Sequence, residues 1–533
     1  MDRADLSAAI IQEMGAVFMV ALAEALPDVL TSDLAGMEQR LRQVGRAVFG
    51  PVVERVAAVR EAAEERGACP ACGGPLQRVD QARRRALQGL VGDDTLHRAY
   101  YQCGTCKQGH APLDERLGLG TGSLSPGLLR VVCREGIEGG FVDAGDRVVE
   151  SVGVTIDDEV LRRLSEGIGA VAEVEVQAAM ARVARGQPAW TANDPVEAPE
   201  SGVLAVEVDG MFVHRDDDWH EMKVVTVAPL GPGVEVDADT GRERLAWGRA
   251  SYGAGFEEAQ AFWGRAHVEA CRRGLGTPAV HTVVALGDGA EWIWRHARAF
   301  LALPGVELVE IIDLYHAYEY LWAVGNAVFG EGTAAAAWVE PLKTRLYTEG
   351  AAPLHAALTT LARTVCVPAA TGAAESAAAT AVRRAIEYVT SNAARLGYPA
   401  FMAQRFPIGS GAVESSCKSV VQARTKGAGM RWSAAGAQQV VSLRALHRSG
   451  RWDAFWQSQP QRARLLLFPR ARHAPVALLT PDAPSVRSTP PHATPMPARP
   501  DVPPADVPPV PRPLRPAADH PWRRQSLGRA RSA

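Results

Sequence analysis

The chain has 533 residues, of which 47% are hydrophobic and 22% are charged, and its formal net charge at pH 7 is -3. This length is sufficient for three or four domains, and the apolar fraction predicts globular domains with sizeable cores. A slightly acidic chain has no overall attraction for nucleic acid, so any basic binding surface must be local.

The N-terminal region predicts neither a signal peptide nor a membrane span. Its longest apolar stretch, GAVFMVALAEAL, is interrupted by Glu24 and is preceded by acidic residues rather than by a basic leader. A membrane helix needs roughly 18 to 20 apolar residues, and a signal peptide begins with a positive segment. We therefore expect a cytoplasmic protein whose eight cysteines are metal ligands or buried thiols rather than disulfides.

Residues 1–66 predict an N-terminal helical arm of two or three amphipathic helices. Pro51 suits the first turn of one of these helices, and Gly67 suits its end. Such an arm could bind DNA or mediate dimerisation, but a plain helical lid would have the same pattern.

Residues 67–116 contain two CxxC pairs on either side of a β-like stretch: Cys69, Cys72, Cys103 and Cys106. Zinc binds four thiolates tetrahedrally, and paired CxxC turns supply that geometry. The 30 residues between the pairs suit a zinc ribbon with a long hairpin, and no catalytic zinc pattern accompanies them. We therefore expect one structural zinc ion. Three consecutive arginines on the hairpin could grip phosphates or form a solvated turn: Arg83, Arg84 and Arg85.

Residues 120–185 return to short helices separated by glycines. Ser125 and Thr155 are suitable N-caps, because a side-chain hydroxyl can accept a hydrogen bond from the first free amides of a helix. The pattern suits a helix-turn-helix, although an ordinary helical bundle would look the same.

Residues 200–312 alternate between strand and helix patterns. Two apolar strands, LAVEVDGMFVH and HEMKVVTVAPL, are separated by the polar turn RDDDW, and a third strand is predicted around ERLAWGRASY. A helix from Gly255 to Arg273 follows, then the strand HTVVALGDG, the helix EWIWRHARAFL and the strand VELVEIID. Meandering strands followed by alternating helices and strands predict an α/β fold with a mixed sheet that is parallel in part.

The rest of the chain predicts helices and then a tail without structure. Residues 313–404 are alanine-rich and helical in pattern, and residues 411–450 predict two further helices. Sixteen of the 36 prolines lie beyond Arg470, where no packed core can form. Residues 470–533 therefore predict a disordered, mildly basic tail.

Three acidic residues lie where these elements would bring metal-binding oxygens together. Asp209 lies inside an apolar strand, Asp288 ends the strand HTVVALGDG, and Glu414 opens a helix after the turn IGSGA. Ligands of open α/β sheets bind at the carboxyl ends of strands, and a pair of magnesium ions about 4 Å apart needs hard oxygen ligands. Each acid alone has an ordinary interpretation, as a turn residue or a helix-start acid. Their order on these elements favours a two-metal site.

Four motifs in this order resemble a known family. They are the DG at Asp209, GDGAEWIW, DLYH, and GAVESSCKSVVQARTKGAGMRWS. Together they look like those of bacterial insertion-sequence transposases of the ISKra type, relatives of the Mutator-like DDE transposases, and the resemblance covers roughly residues 60–455. It implies an RNase H-like catalytic domain at 200–312 and 405–455, interrupted by an all-helical insertion at 313–404. Asp209, Asp288 and Glu414 would be its catalytic acids, holding two magnesium ions or manganese in their place.

The resemblance also implies an activity and its partners. Such an enzyme binds the terminal inverted repeats of an insertion sequence, hydrolyses one DNA strand, and joins the released 3′-hydroxyl to target DNA. Because two ends must meet, a homodimer or larger assembly on the nucleoid is implied. A catalytically inactive DNA-binding regulator with a zinc ribbon and an RNase H-like nuclease are the alternatives. The presence of all three acids speaks against the inactive regulator.

Asp313 and His316 match the D-x-x-H signature that such transposases carry near the start of the insertion. Three residues apart on a helix, their side chains share a face. Asp313 also ends an apolar strand, so it rivals Glu414 as the third metal ligand. The alternative is that Asp313 caps the helix and His316 is satisfied by packing.

The segment after Glu414 is strongly basic, with seven Lys or Arg and no Asp or Glu from Ser415 to Arg451. An exposed basic run beside a metal site is what a phosphate backbone requires. The residues expected to contact DNA phosphates are Lys418, Arg424, Lys426 and Arg431. Lys418 could instead pair with Glu414, four residues earlier. Trp432 could stack on a base or belong to the core.

Overall fold

The computed structural model describes residues 3–62, 68–120, 122–189, 197–236, 241–365 and 376–458. They belong to one compact unit, Met1–His473. The predicted tail at 470–533 lies outside the described residues.

The N-terminal arm is a pair of long helices, α1 (Arg3–Thr31) and α2 (Leu34–Ala62). Pro51 lies inside α2 and does not begin a helix, contrary to the sequence prediction. The amide of Gly36 binds the Asp33 carboxylate at 2.8 Å, so the cap that starts α2 lies well before Pro51. Gly67, expected to end the helix, lies outside the described residues.

Helix α1 is more apolar than the sequence analysis expected. Its segment Ile10–Thr31 has a mean hydropathy of 1.6 and is long enough to cross a membrane, and only 6% of its best window is buried. A signal sequence or a core helix passes the same test, so one such helix is weak evidence for a membrane span.

The segment with the CxxC pairs is a three-stranded antiparallel sheet in the order β1-β2-β3. Its elements are β1 (Leu76–Gln88), β2 (Asp93–Cys103), β3 (Gly109–His110) and the short helix α3 (Pro112–Arg116). The long hairpin of β1 and β2 pairs Leu76 with Cys103, so both CxxC turns lie at its open end. A small core of apolar side chains from α2, β1, β2 and α3 holds the hairpin against the arm.

Three helices follow: α4 (Pro126–Glu138), α5 (Phe141–Val152) and α6 (Asp158–Ala184). The Ser125 side chain caps α4, as predicted, by accepting a hydrogen bond from the amide of Leu128. The cap of α6 is Asp157 and not Thr155, because its carboxylate reaches the amides of Glu159 and Val160. A helix-turn-helix role for this segment stays a prediction.

The central sheet is mixed, as predicted, with the strand order β6-β5-β4-β8-β9. Its elements are β4 (Val203–Arg215), β5 (Asp218–Val236), β6 (Glu243–Trp247), β7 (Ser251–Gly255), α7 (Ala259–Arg272), β8 (Thr282–Gly287), α8 (Glu291–Leu301) and β9 (Glu307–Ile312). Strand β5 is antiparallel to β4, whereas β8 is parallel to β4 and β9 to β8. The single strand expected around ERLAWGRASY is split into β6 and β7, both paired with β5. A Cβ at Gly248, between them, would lie 2.8 Å from the Pro229 carbonyl oxygen.

Both faces of the sheet are covered, which explains why its strands are apolar almost throughout. Helices α7 and α8 pack with Val225 and Val227 of β5 in one core. Met222 and Val224, on the opposite face of the same strand, pack in a second core with α6 and a later helix, α16 (Ala434–Arg448).

The rest of the described chain is helical. The helical segment after β9, which the sequence analysis predicted as an insertion, comprises α9 (Leu314–Phe329), α10 (Thr333–Glu349), α11 (Ala351–Val365), α12 (Ala377–Ser391), a 3₁₀ turn (Ala393–Leu396) and α13 (Tyr398–Ala403). A continuous helical segment then runs through α14 (Gly411–Ser416), a π-helical stretch (Cys417–Gln422) and α15 (Ala423–Thr425). Helices α16 and α17 (Trp452–Ser458) are the last elements of the described chain.

Candidate functional site

The predicted acids lie at one edge of the central sheet. Asp209 lies in β4, Asp288 directly follows β8, and Asp313 directly follows β9. Because β4 and β8 pair in parallel with Glu207 opposite Leu286, Asp209 and Asp288 each lie two residues beyond that pair. Gly287 pairs with Ile312, so Asp288 and Asp313 leave the sheet at the same level.

Asp209 is half-buried and is held by its surroundings. Its Oδ1 accepts a hydrogen bond from the Gly210 amide at 2.7 Å, and its Oδ2 accepts a weak one from the Cys417 thiol at 3.7 Å. Burial raises the pKa of Asp209, the negative charge of Asp288 raises it further, and His316 lowers it. Asp209 therefore lies within electrostatic reach of both Asp288 and His316.

Asp288 is joined to the helical insertion through tyrosines. Its Oδ1 accepts a hydrogen bond from the Ala290 amide at 2.9 Å, which fixes the carboxylate. The Tyr388 hydroxyl donates to the Asp288 carbonyl oxygen at 3.5 Å. Gly289, at φ +99°, admits this contact, because a Cβ there would lie 2.8 Å from the Tyr388 ring. The ring of Tyr320 stacks on that of Tyr388 with centroids 3.8 Å apart.

Glu414 is half-buried in the first turn of α14 and is linked to Asp313 through Ser410. The Ser410 hydroxyl donates to Asp313 Oδ2 and lies 3.4 Å from Glu414 Oε1. Asp313 is buried, and its Oδ1 caps α9 by accepting the Tyr315 amide at 2.9 Å. Asp313 therefore caps α9, which is the alternative role that the sequence analysis gave it. It also contacts Ser410, whose hydroxyl lies near Glu414. His316 Nδ1 lies 3.2 Å from Glu319 Oε2.

Sequence reasoning missed two residues of this site, Ser410 and Glu207. Glu207 lies two residues before Asp209, so both side chains project from the same face of β4. Its Oε2 accepts the Val413 amide at 2.8 Å, and its Oε1 is buried without a hydrogen-bond partner among the described residues. Burial raises the pKa of Glu207 to about 8, and the charge of Asp313 adds to this effect. An acid in the apolar run VEVDG, alternating with Asp209, was the available signal.

The acids are near one another without forming a tight cluster. Within the described ranges, one group of three or more potential ligands has all its ligand atoms within 4.8 Å of one another, and that group is the four cysteines. Asp209, Asp288 and Glu414 are not brought that close.

The four cysteines of the two CxxC turns could bind a metal such as zinc. The Sγ atoms of Cys69 and Cys106 are 3.7 Å apart, and those of Cys72 and Cys103 are 3.5 Å apart. Four thiolates at the usual zinc–sulfur distance have sulfurs about 3.8 Å apart. A Cβ at Gly74 would lie 3.1 Å from Cys103 Sγ, so the turn needs glycine there.

Backbone amides also favour thiolate in this cluster. The amides of Cys106 and Thr105 donate to Cys103 Sγ at 3.5 and 3.4 Å, and they lower the pKa of Cys103 to about 6. Three further cysteines are buried free thiols: Cys133, Cys271 and Cys417. Cys366 lies outside the described residues.

The arginine run of the ribbon lies within β1 and not in a turn. Arg83 and Arg84 are exposed, and the Arg83 guanidinium lies 4.2 Å from the Tyr100 ring. Arg85 instead binds Asp114 at 2.7 Å and the Gly122 carbonyl oxygen at 2.8 Å. Its expected phosphate contact is therefore wrong for this conformation, since the guanidinium stabilises the ribbon.

Three of the four predicted phosphate contacts in the basic run after Glu414 are exposed, and one is buried. Lys418 and Lys426 are exposed, and so is Arg431, which lies 3.6 Å from Asp217. Arg424 is only 1% exposed, so the prediction that it contacts phosphate is wrong. The helical segment from Gly411 continues to Thr425, which carries Arg424 inward instead of into a glycine-rich loop.

The environment of Arg424 is a closed aromatic one. Its Nε donates to the Gly136 carbonyl oxygen at 2.9 Å, and its guanidinium lies 4.2 Å from the Phe141 ring and 4.6 Å from the Trp432 ring. Trp432 is 7% exposed and belongs to the core, as its alternative interpretation had it.

A scan against protein-family models and a search of curated proteins find no match for this chain.

Proposed function

We propose that this chain is a DDE-type DNA transposase with an RNase H-like catalytic domain, which cleaves the ends of a mobile element and joins them to target DNA. The observation that carries the proposal is the arrangement of Asp209, Asp288 and Glu414 beside one edge of a mixed sheet. The motifs around them resemble those of ISKra-type transposases. The helical segment between β9 and α14 agrees with the insertion that this resemblance implies.

The three acids fit a site for magnesium, or manganese in its place. Carboxylate oxygens are the hard ligands that these ions prefer. The raised pKa of Asp209 shows that burial and the charge of Asp288 both oppose its ionised form, and a bound cation would favour that form. When bound, such ions polarise the scissile phosphate and lower the pKa of a coordinated water.

The neighbours of the acids position them. Glu207 holds the Val413 amide at the start of α14, which attaches the helix that carries Glu414 to the strand that carries Asp209. Ser410 connects Glu414 to Asp313. The exposed side chains of Lys418, Lys426 and Arg431 follow Glu414 in the chain and supply positive charge for a DNA backbone.

We assign a structural zinc ion to Cys69, Cys72, Cys103 and Cys106. The sulfur spacing and the amide hydrogen bonds to Cys103 support it. The ribbon and the helices α4 to α6 would recognise the terminal inverted repeats. Joining two ends to one target requires two catalytic sites, so we expect a dimer or larger assembly on end DNA.

Substitution of the acids tests the proposal. Asp209→Asn, Asp288→Asn and Glu414→Gln should each abolish magnesium-dependent cleavage of end DNA and leave binding to it intact, because the acids hold metal and do not read sequence. Glu331→Gln is the matched control, since Glu331 is exposed in the turn between α9 and α10. Cleavage by all three variants at the wild-type rate would refute the proposal.

The same assay separates the alternatives. Cleavage without joining to target DNA would identify an RNase H-like nuclease, and specific binding without cleavage would identify an inactive regulator. If Glu414→Gln stays active and a folded Asp313→Asn variant is inactive, Asp313 is the third metal ligand.

A further inference from the structure

A cleft of about 760 Å³ opens beside Asp288, between α8 of the sheet domain and α12 of the insertion. Its lining includes Gly289, which follows Asp288 in the chain, and Tyr388, which donates to the Asp288 carbonyl oxygen. The resemblance to transposases assigns nothing to this cleft. Its walls combine two features that a nucleotide requires, an accessible aromatic surface and guanidinium groups.

The aromatic surface is the stacked pair of Tyr320 and Tyr388. The two rings are nearly parallel, at 15°, and Tyr320 is 39% exposed. Tyr388 is fixed to the Asp288 carbonyl oxygen, so the pair lies within one residue of a candidate catalytic acid. Because Tyr320 stacks on this fixed ring, it presents a second face on which a base can stack at little entropic cost.

The guanidinium groups divide into two pairs. Arg298 and Arg395 share one carboxylate, that of Glu310, at 2.6 and 2.7 Å, so both guanidiniums are already engaged in an ion pair. Arg295 on α8 and Arg384 on α12 are exposed and make no hydrogen bond or ion pair with any residue that the structure describes. Each wall of the cleft therefore contributes one arginine available to a ligand.

The acidic residues of the lining do not cancel these arginines. Glu387 lies 3.2 Å from Arg383, which is outside the lining. Glu291 is in the first turn of α8, where the helix dipole favours a negative charge. The lining thus offers two uncommitted guanidiniums on opposite walls, and guanidinium binds phosphate oxygens in a bidentate manner.

We propose that this cleft binds an unpaired nucleotide of the DNA strand next to the scissile phosphate, with its base on Tyr320 and its phosphates on Arg295 and Arg384. The inference rests on the proposed function, since it places the substrate strand between the acids and the insertion. An unpaired nucleotide fits better than duplex, because the faces of duplex bases are covered by their stacked neighbours, whereas an unpaired base can turn its face to a tyrosine.

The experiment measures binding of fluorescein-labelled single-stranded oligonucleotides by anisotropy, with a normal base or an abasic site at the central position. Wild-type protein should bind the normal oligonucleotide about tenfold more tightly, from the usual strength of base–aromatic stacking. Tyr320→Ala should remove that preference, and Tyr320→Phe, which keeps the ring, should restore it. No preference in the wild-type protein, or a preference kept by Tyr320→Ala, would overturn the proposal.

The arginines are tested by the double variant Arg295→Ala/Arg384→Ala. It should weaken binding of both oligonucleotides equally and reduce the salt dependence by about one to two ion equivalents. Arg345→Ala is the matched control, because Arg345 is an exposed arginine of the insertion that pairs with Glu349. An unchanged salt dependence in the double variant would show that phosphates do not lie between these walls.

This binding assay needs no cleavage, so the two proposals fail separately. Loss of base preference in Tyr320→Ala without any DNA cleavage by the wild-type protein would retain the cleft and reject the transposase. Cleavage that depends on the acids, with a base preference that Tyr320→Ala does not change, would retain the transposase and reject the cleft.

Discussion

The buried position of Arg424 leads to a prediction about stability instead of DNA binding. Burial lowers the pKa of Arg424 from the ordinary value of a guanidinium to about 10, and at about 1.4 kcal/mol for each tenfold change this corresponds to a cost of about 3 kcal/mol. The charged hydrogen bond to Gly136 contributes about 2 kcal/mol. The contacts with Phe141 and Trp432 contribute about 1 to 2 kcal/mol each. The guanidinium is therefore modestly stabilising on balance.

Two substitutions separate its charge from its volume. Arg424→Ala loses these contacts and leaves a cavity, so the free energy of unfolding should fall by about 3 kcal/mol. Arg424→Met fills the same space and also removes Nη2, which is buried without a partner among the described residues. Its stability should lie within about 1 kcal/mol of the wild type. Urea unfolding monitored by tryptophan fluorescence measures both variants.

Measurements of DNA binding should distinguish the exposed Lys426 from the buried Arg424. Lys426 is exposed, so Lys426→Ala should leave stability unchanged and reduce the salt dependence of DNA binding by about one ion equivalent. A folded Arg424→Met variant should keep the wild-type salt dependence. If Arg424→Ala keeps wild-type stability and lowers that salt dependence, the buried position described for Arg424 is wrong.

Two further predictions concern the ribbon and its contact with α2. The carboxylate of Asp94 is buried with Oδ1 unpartnered among the described residues, and burial, with the charge of Glu54, raises its pKa to about 6. Because the folded-state pKa lies above the ordinary 3.8, the free energy of unfolding should fall as pH rises from about 4 to 6. Asp94→Asn should therefore raise the urea midpoint at pH 7. An equal pH dependence of stability in the wild type and the variant would contradict this prediction. Protein purified under reducing conditions should contain one zinc ion per chain by elemental analysis, and Cys103→Ser should lose the zinc and unfold the ribbon, since metal binding supplies folding energy. Absence of zinc from the wild-type protein would refute the assignment.

Local patterns were sufficient to predict the elements that carry the candidate sites. The apolar runs around Asp209 and Asp288 predicted strands because side chains of a covered sheet are apolar on both faces. The spacing of the CxxC pairs predicted a close cluster of four cysteines, and the Sγ distances confirm it. These features depend on neighbours along the chain.

Predictions failed where a competing contact decided the outcome. Asp157 caps α6 instead of Thr155, because a carboxylate one residue before the helix reaches two amides. The strand around ERLAWGRASY is divided because Gly248 lies against the Pro229 carbonyl oxygen of a neighbouring strand. The Asp157 cap is local, since Asp is a preferred N-cap residue, whereas the residues beside Gly248 do not reveal its contact with Pro229.

The roles of Arg424 and Glu207 show most clearly what local pattern could not determine. The sequence by itself determined that a basic, acid-free helix follows Glu414 and that two acids alternate in the strand VEVDG. Only the tertiary structure decided that Arg424 turns inward, because the Gly136 carbonyl and the Phe141 ring that receive it come from nearly 300 residues earlier. It also decided that Glu207 holds α14 while Asp209 faces Asp288, since burial and charge at a side chain depend on which distant segments cover it.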